Sequence, residues 1–317
     1  MSYEQFLRTT PRSKDEYLLF SAHRPYQHDE LSYDEQYKVP PIDYLAGEGI
    51  LHLVKDLQLL VDSPILELGC GTGKLTVGLI SVFGADAVLA TDASTNFLDI
   101  TRKKLLENKL AIPHLGILRF EDIGVLPDDA FGLIVIRSAL HHVDMYDDFL
   151  FAASRKLRPG GAIIFQEPLY EGLFLLGLIA KSVRQLTHDA DIQKDLTVLV
   201  DAMSFYCRTN VDKSLAEDKH VFRLNNILSA ANRAGLSLQF FPNKAYEDFA
   251  GDPSVFDYSY FAKSYLGYCM SFKHKTVEFY MEKANEMLQY IKETSDANNA
   301  PECYGVFVLT RPTAPRG

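Results

Sequence analysis

The sequence predicts an α/β fold: a seven-stranded, mostly parallel sheet with helices on both faces, roofed by a largely helical cap. Three observations carry this. From about residue 50, short apolar runs of strand length alternate with segments of helical periodicity. The runs are apolar throughout rather than alternating, as expected of parallel strands buried on both faces. The first run leads into a glycine-rich stretch, ILELGCGTGKLT at residues 65–76, the kind of strand-to-helix turn that lets a backbone approach a ligand closely.

The elements follow in order. Residues 1–48 are rich in aromatic side chains (Tyr3, Phe6, Tyr17, Phe20, Tyr26, Tyr33, Tyr37, Tyr44) and are interrupted by Pro11, Pro25, Pro40 and Pro41. A free tail would expose too much apolar surface, so this segment is expected to pack as a lid. The core is expected over 49–168. GILHLVKDLQLL has helical spacing, and PILEL is a buried strand. KLTVGLISVFG is a helix that stops at Gly84, and AVLATD is the second strand. ASTNFLDITRKKLLENKL is a long amphipathic helix with Ser94 or Thr95 as N-cap. LGILRF and FGLIVIRSAL are strands three and four; DDFLFAASRKL is a helix stopped by RPGG; GAIIFQEP is strand five. Residues 169–220 read as a helical cap insertion. Residues 221–242 return to the core with a helix ending at Gly235 and a sixth strand, and 243–302 form a second, aromatic and helical insertion. The last strand, CYGVFVLTRP, and a tail occupy 303–317. There is no internal repeat.

Composition narrows the function. The 317 residues are 47% apolar, enough for a substantial core, and carry a formal net charge of −10. An acidic balance without a dense Lys/Arg run disfavours nucleic acid as a partner, because phosphate neutralisation supplies most of that affinity. Cys70, Cys207, Cys269 and Cys303 are far apart and form no C-x-x-C pair. Neither a zinc knuckle nor a redox dithiol is indicated, no metal site is expected, and reduced thiols fit a cytoplasmic protein. The start, MSYEQFLRTTPRSKDEY, is polar and unlike a secretory signal. The apolar run LFLLGLIA at 173–180 has only eight residues, so no stable membrane insertion is expected.

In open α/β sheets, ligands bind at the carboxyl ends of the strands. The residues there are Glu67 to Gly73, Asp92, Glu121 with Asp122, Arg137 to His142, and Glu167. The glycines read G-x-G-x-G rather than the dinucleotide pattern G-x-G-x-x-G, and Glu67 lies two positions before Gly69. A carboxylate there repels a pyrophosphate and suits a ligand with an ammonium group. Asp92 can accept both hydroxyls of a ribose, a feature shared with nicotinamide enzymes. Asp122 can accept from an adenine amino group with Ile123 against the ring, although a one-residue slip would give the role to Glu121. His141 and His142 can take a proton near neutral pH, or contact substrate directly, and Glu167 is expected to face the same pocket. The aromatic caps are read mainly as packing, with a few rings lining a site for positive charge.

ILELGCGTGKLT, LATDAS, FEDIGVLPDDAFGLIVIRSALHHV and LRPGGAIIFQEP, in this order and spacing, resemble the successive motifs of class I S-adenosylmethionine-dependent methyltransferases. The resemblance covers about residues 50–168 strongly. It implies a Rossmann-like sheet of seven strands, the last antiparallel, with S-adenosyl-L-methionine as cofactor. It implies that Glu67, Gly69, Cys70, Gly71, Thr72 and Gly73 hold the methionine part, that Asp92 with Ala93 holds the ribose, and that Asp122 with Ile123 contacts adenine. The segment from Arg137 to His142 would line the cofactor and face the substrate. Arg137 then counts among the cofactor residues, and His141, His142 and Glu167 are the catalytic candidates. The chain departs from the family between strands six and seven, where about 60 residues replace a short hairpin. This leaves the register of the last strand open and points to added substrate-specific material. RSAL stands where adenine-N6 and glutamine methyltransferases carry Asn/Asp-Pro-Pro-Tyr.

The expected function is methyl transfer to an O, N or C nucleophile of a small molecule, an in-line displacement that needs alignment and exclusion of water. Three other readings stay open. One is a regulatory S-adenosylmethionine-binding protein without transfer. Another is a methyltransferase acting on protein or nucleic acid. The third is a nicotinamide-dependent oxidoreductase, which the glycine spacing and Glu67 disfavour. A homodimer also stays open.

Overall fold

The computed structural model describes residues 3–26, 30–36, 44–61, 64–251, 256–295 and 300–313. Tyr37, Pro40 and Pro41 of the expected lid lie outside the described residues. The apolar runs become strands β1 (Leu18–Leu19), β2 (Ile65–Leu68), β3 (Val88–Asp92), β4 (His114–Ile117), β5 (Phe131–Arg137), β6 (Leu157–Pro168), β7 (Ser237–Pro242) and β8 (Tyr304–Thr310). They form one sheet in the order β1-β4-β3-β2-β5-β6-β8-β7. All neighbours from β1 to β6 are parallel, and β8 runs antiparallel to both β6 and β7.

The sheet therefore has eight strands, not the expected seven. The extra one is β1, contributed by the N-terminal segment, whose Leu18 and Leu19 pair with Gly116 and Ile117. Without it β4 would be an open edge, which proteins usually cover. The four-residue apolar run YLLF at 17–20 is too short to give a periodic signal, so only the packing reveals the strand. Leu18 and Tyr17 are fully buried; the Tyr17 hydroxyl donates to the Asp99 carboxylate, and the Arg102 guanidinium lies over its ring.

The helices are α1 (Tyr3–Thr9), α2 (Tyr33–Gln36), α3 (Leu45–Asp56), α4 (Lys74–Phe83), α5 (Thr95–Glu107), α6 (Tyr146–Lys156), α7 (Tyr170–Val183), α8 (Ala190–Tyr206), α9 (Leu224–Arg233), α10 (Tyr258–Ser264), α11 (His274–Lys283) and α12 (Asn285–Thr294). Alternation along each strand sends successive side chains to opposite cores. Ile65, Val135, Ile164 and Val306 join Ile50, Leu53, Leu79 and Leu98 from α3, α4 and α5 on one face. Leu66, Ile134, Ile163 and Phe307 join Phe149, Leu150, Ile227 and Ala231 from α6 and α9 on the other. A third core builds the cap from α7, α8, α10, α11 and α12, with Leu176, Leu196, Leu199, Tyr258 and Tyr280 buried in it.

Several local readings are sharpened. Ser94 caps α5, its Oγ accepting from the Asn96 amide. RPGG does not separate α6 from the next strand; the chain passes from Lys156 directly into β6, with a register irregularity between Phe131 and Leu133. The last strand is set by pairs such as Phe165 with Phe307, whose rings stack at 4.8 Å. Helix α3 starts at Leu45, before the expected edge of the core. The run at 173–180 lies in α7, and among the described residues no helix is long and apolar enough to cross a membrane.

Helices α3 and α4 meet backbone to backbone. A Cβ at Gly47 would lie 2.1 Å from the Gly78 carbonyl oxygen, and one at Gly78 would lie 2.6 Å from the Gly47 nitrogen. This contact sets the height of α4, and hence of the glycine loop that precedes it. Gly47→Ala is expected to destabilise the protein by about 1–3 kcal/mol through overpacking. Chemical denaturation checks this; an unchanged midpoint would contradict the contact.

Candidate active site

The glycine loop joins β2 to α4 with Gly69, Gly71 and Gly73 at φ of +68°, +52° and +81°. Side chains rarely adopt these angles, so the turn needs glycine. Two of the three are also hemmed in: a Cβ at Gly69 would lie 2.7 Å from Ala139 Cβ, and one at Gly73 would lie 2.8 Å from Thr101 Cγ2. Gly71 differs, with nothing within 4 Å of the added atom. The loop is thus pinned from behind and open at Gly71. The Cys70 amide donates to the Thr91 carbonyl at 2.9 Å, and Thr101 Oγ1 donates to the Gly71 carbonyl at 2.9 Å. Cys70 and Thr72 are buried in the turn, and burial raises the Cys70 thiol pKa well above its ordinary value.

Two buried acids stand beside the loop. Glu67 is 1% exposed, and its Oε2 accepts from Thr76 Oγ1 at 2.8 Å. Burial pushes its pKa up to about 8, opposed by the Thr76 hydrogen bond and by Arg137, while Asp92 adds to the rise. Asp92 accepts the Gly71 amide at 2.9 Å and the Ser94 amide at 2.8 Å. Burial still lifts it to about 6, against those amides and with Glu30 adding to the rise.

The N-terminal segment covers this end of β3. The Arg24 amide donates to the Ala93 carbonyl at 2.8 Å, and Glu30 accepts from Ser94 Oγ at 2.5 Å and from Asn96 Nδ2 at 2.6 Å. Sequence reading missed Glu30 because its partners lie across the fold.

Asp122 sits somewhat apart. Its Oδ2 accepts from Arg119 Nε at 2.7 Å and lies 2.6 Å from Arg119 Nη2. Burial opposes its ionisation, but the hydrogen bonds from Ser21 and Arg119 outweigh this and lower its pKa. Glu121 is exposed, and Ile123 is buried in the core with Leu126 and Leu140.

Arg137, at the end of β5, meets a residue the sequence did not suggest. Its Nη2 donates to Glu247 Oε1 at 2.6 Å, and Lys74 Nζ lies 3.8 Å from the same oxygen. Glu247 belongs to the short helical turn Tyr246–Phe249 of the second insertion. That turn is anchored on the sheet by the Tyr246 hydroxyl, which donates to the Ile136 carbonyl at 2.6 Å. Arg137 Nη1 and Glu247 Oε2 are buried without hydrogen-bond partners. The two residues pair through their other atoms, but buried polar atoms left without a hydrogen bond are costly unless a further group meets them.

The histidines form the other half of the site. Glu167 Oε1 accepts the Ala139 amide at 3.0 Å and the Leu140 amide at 2.7 Å, and its Oε2 lies 2.6 Å from His141 Nδ1. His141 Nε2 is 3.3 Å from Asp218 Oδ1; His142 Nδ1 is 3.4 Å from the same oxygen and 3.1 Å from the Glu217 carbonyl. Asp218 comes from the segment after α8. The Lys219 and His220 amides hold that segment in place by donating to the His141 carbonyl at 2.9 and 3.2 Å. Burial would lower the His141 pKa, but Glu167 and Asp218 outweigh it and raise it to about 10. Burial and the adjacent His141 lower His142. The two rings are therefore shifted in opposite directions, His141 toward the imidazolium and His142 toward the neutral imidazole. Ala139 ties this half to the first by its approach to Gly69.

Glu67 titrates at about 8 in the folded chain against 4.5 ordinarily. The folded state binds the extra proton between these values, so stability falls as pH rises through that window. Glu67→Gln keeps an acceptor for Thr76 and removes the charge. It is expected to flatten the slope and to stabilise the ligand-free protein at pH 8 by on the order of 3 kcal/mol. Denaturation curves from pH 5 to 8 check this, and an unaltered slope would contradict it.

Comparison with known proteins adds the family. A family model described as a methyltransferase domain matches residues 66–165. Demethylmenaquinone methyltransferase of Staphylococcus haemolyticus is 30% identical over 118 residues, which are 37% of this chain and 48% of that protein. A ubiquinone/menaquinone biosynthesis C-methyltransferase of Vibrio campbellii is 30% identical over 138 residues, 40% of this chain and 53% of that one. The chain thus spans about half the length of the curated relatives it matches. Among solved structures, phosphoethanolamine N-methyltransferase 2 of Haemonchus contortus shares the fold, with a TM-score of 0.50 at 13% identity over 90% of this chain and 57% of that chain. Residues 66–165, most of the α/β core, are thus similar to a methyltransferase domain, in agreement with the motifs that resemble the class I S-adenosylmethionine-dependent family.

Proposed function

We propose that the chain transfers a methyl group from S-adenosyl-L-methionine to an O, N or C nucleophile of a small molecule. The observation that carries the reading is the glycine loop, open at Gly71 between buried acids, in a core that matches a methyltransferase domain. The residues present fit the cofactor. Gly71 leaves room for close approach. The Asp92 carboxylate keeps lone pairs for two ribose hydroxyls. Arg137 Nη1 and Glu247 Oε2 are orphaned atoms of opposite charge, complementary to the carboxylate and ammonium of an amino-acid end.

When bound, the cofactor supplies a methyl carbon activated by its sulfonium. The protein does the rest. Glu67, the loop residues Gly69 to Gly73, and Arg137 hold the amino-acid end. Asp92 and Ala93 would hold the ribose, and Asp122 with Ile123 would meet the adenine. The N-terminal segment and the insertions exclude water.

An amine acceptor needs only alignment. A hydroxyl or carbon acceptor must lose a proton, and the histidine cluster is built for that: His142 is neutral and its side chain is 34% exposed, while the charged His141, held by Glu167, favours an anionic acceptor. The relative named as a C-methyltransferase of ubiquinone/menaquinone biosynthesis favours a carbon acceptor.

Calorimetry with S-adenosylhomocysteine is expected to show micromolar-range binding. Asp92→Ala should weaken it by about 1–3 kcal/mol, the cost of stranding buried polar groups. Unchanged affinity would limit Asp92 to ordering the loop and the α5 start. His141→Ala and His142→Ala should preserve cofactor affinity. They should lower turnover by about 10²-fold or more on an acceptor found by screening a metabolite extract with labelled cofactor. Undiminished turnover in both would remove the cluster from the reaction.

A further inference from the structure

The cluster at the ends of β5 and β6 contains two spacings longer than a charge-assisted hydrogen bond. The contact between His141 Nδ1 and Glu167 at 2.6 Å is a charge-assisted hydrogen bond. The two contacts to Asp218 Oδ1, 3.3 Å from His141 Nε2 and 3.4 Å from His142 Nδ1, are too long for that description. They match the edge of a tetrahedron instead. Bonds of about 2.0–2.1 Å to a zinc ion place neighbouring ligand atoms about 3.3–3.4 Å apart, whereas cis ligands of an octahedral ion at that bond length lie about 3 Å apart. One ligand atom from each of His141, His142 and Asp218 lies within 4.8 Å of the other two.

We propose that His141, His142 and Asp218 bind a zinc ion tetrahedrally, through His141 Nε2, His142 Nδ1 and Asp218 Oδ1. The surroundings supply what such a site needs. Glu167 accepts the Nδ1 proton of His141 and leaves the Nε2 lone pair for the metal, and Glu167 is itself fixed by the Ala139 and Leu140 amides. Asp218 is placed by the Lys219 and His220 amides on the His141 carbonyl, so both sides of the site are preorganised. Two carboxylates balance the ion's charge. A proton on His141 is the competing occupant, and zinc binding releases it. Ligation also gives up the 3.1 Å contact of His142 Nδ1 with the Glu217 carbonyl, because a nitrogen cannot donate there and bind metal together.

Three protein ligands leave a fourth position for water or a substrate oxygen, as in catalytic rather than structural zinc sites. On the methyl-transfer reading, on which this clause rests, an acceptor hydroxyl bound there would ionise without a histidine base. The pattern was invisible in the sequence because Asp218 is remote from the tandem and no cysteine takes part.

The full chain, stripped with a chelator, loaded with one equivalent of zinc and gel-filtered, should retain one zinc per chain. Asp218→Asn and His142→Ala should each weaken zinc by at least about tenfold in competition with a chromophoric chelator, and Glu167→Gln by about 10–100-fold through the loss of orientation. Cobalt(II) in the unaltered chain gives a readout that does not depend on any variant folding: strong visible absorption for four-coordination, weak for six. No retained zinc, equal affinity in the Asp218 and His142 variants, or a six-coordinate cobalt spectrum would overturn the proposal. None of these measurements involves the methyl donor, so their failure is distinct from failure of the methyl-transfer reading.

Discussion

The constraint on which the site depends is the burial of carboxylates along the carboxyl edge of the sheet. Glu67, Asp92 and Glu167 are 1%, 8% and 1% exposed, and each is costly there unless it is met by donors or positive charge. The chain meets them unequally. Glu167 has two backbone amides and His141; Asp92 has two amides; Glu67 has one threonine hydroxyl and a raised pKa. The unmet remainder lies next to Gly71, where the loop is open. On the proposed function, a ligand carrying hydroxyls and an ammonium group would meet these carboxylates.

Much of the remaining architecture packs against this edge. The close approach of Gly47 and Gly78 seats α4 behind the glycine loop. The N-terminal segment extends the sheet by one short strand and then crosses the end of β3 through Arg24 and Glu30. The insertion between β7 and β8 returns Glu247 to Arg137, and the segment after α8 returns Asp218 to the histidines. Each excursion from the core thus places one charged residue against a strand end, which gives the added chain a role in the site as well as in enclosing it.

The core was legible because its signals are local. Apolar runs, helical periodicity, three glycines and an acid at a strand end can be read from neighbouring residues, and Glu67, Asp92, Arg137 and Glu167 do fall toward the carboxyl ends of β2, β3, β5 and β6. Only the fold separates Glu121 from Asp122: Glu121 is exposed, while Asp122 turns toward Arg119 and Ser21. What stayed hidden was non-local. Strand β1 is two residues long and exists only because β4 needs a neighbour. Glu30, Asp218 and Glu247 have ordinary surroundings in the sequence and acquire meaning only through partners brought to them by the chain's path. The opposite shifts of His141 and His142 likewise depend on the fold: Glu167 and Asp218 raise the first, while burial and the neighbouring His141 lower the second.

The most direct test is an experimental structure with S-adenosylhomocysteine bound. The account predicts both ribose hydroxyls on the Asp92 carboxylate, ligand atoms within contact of Gly71, and the amino-acid end hydrogen-bonded to Arg137 Nη1 and Glu247 Oε2. A ligand seated away from Gly71, or bound there with those two atoms still unpartnered, would contradict it.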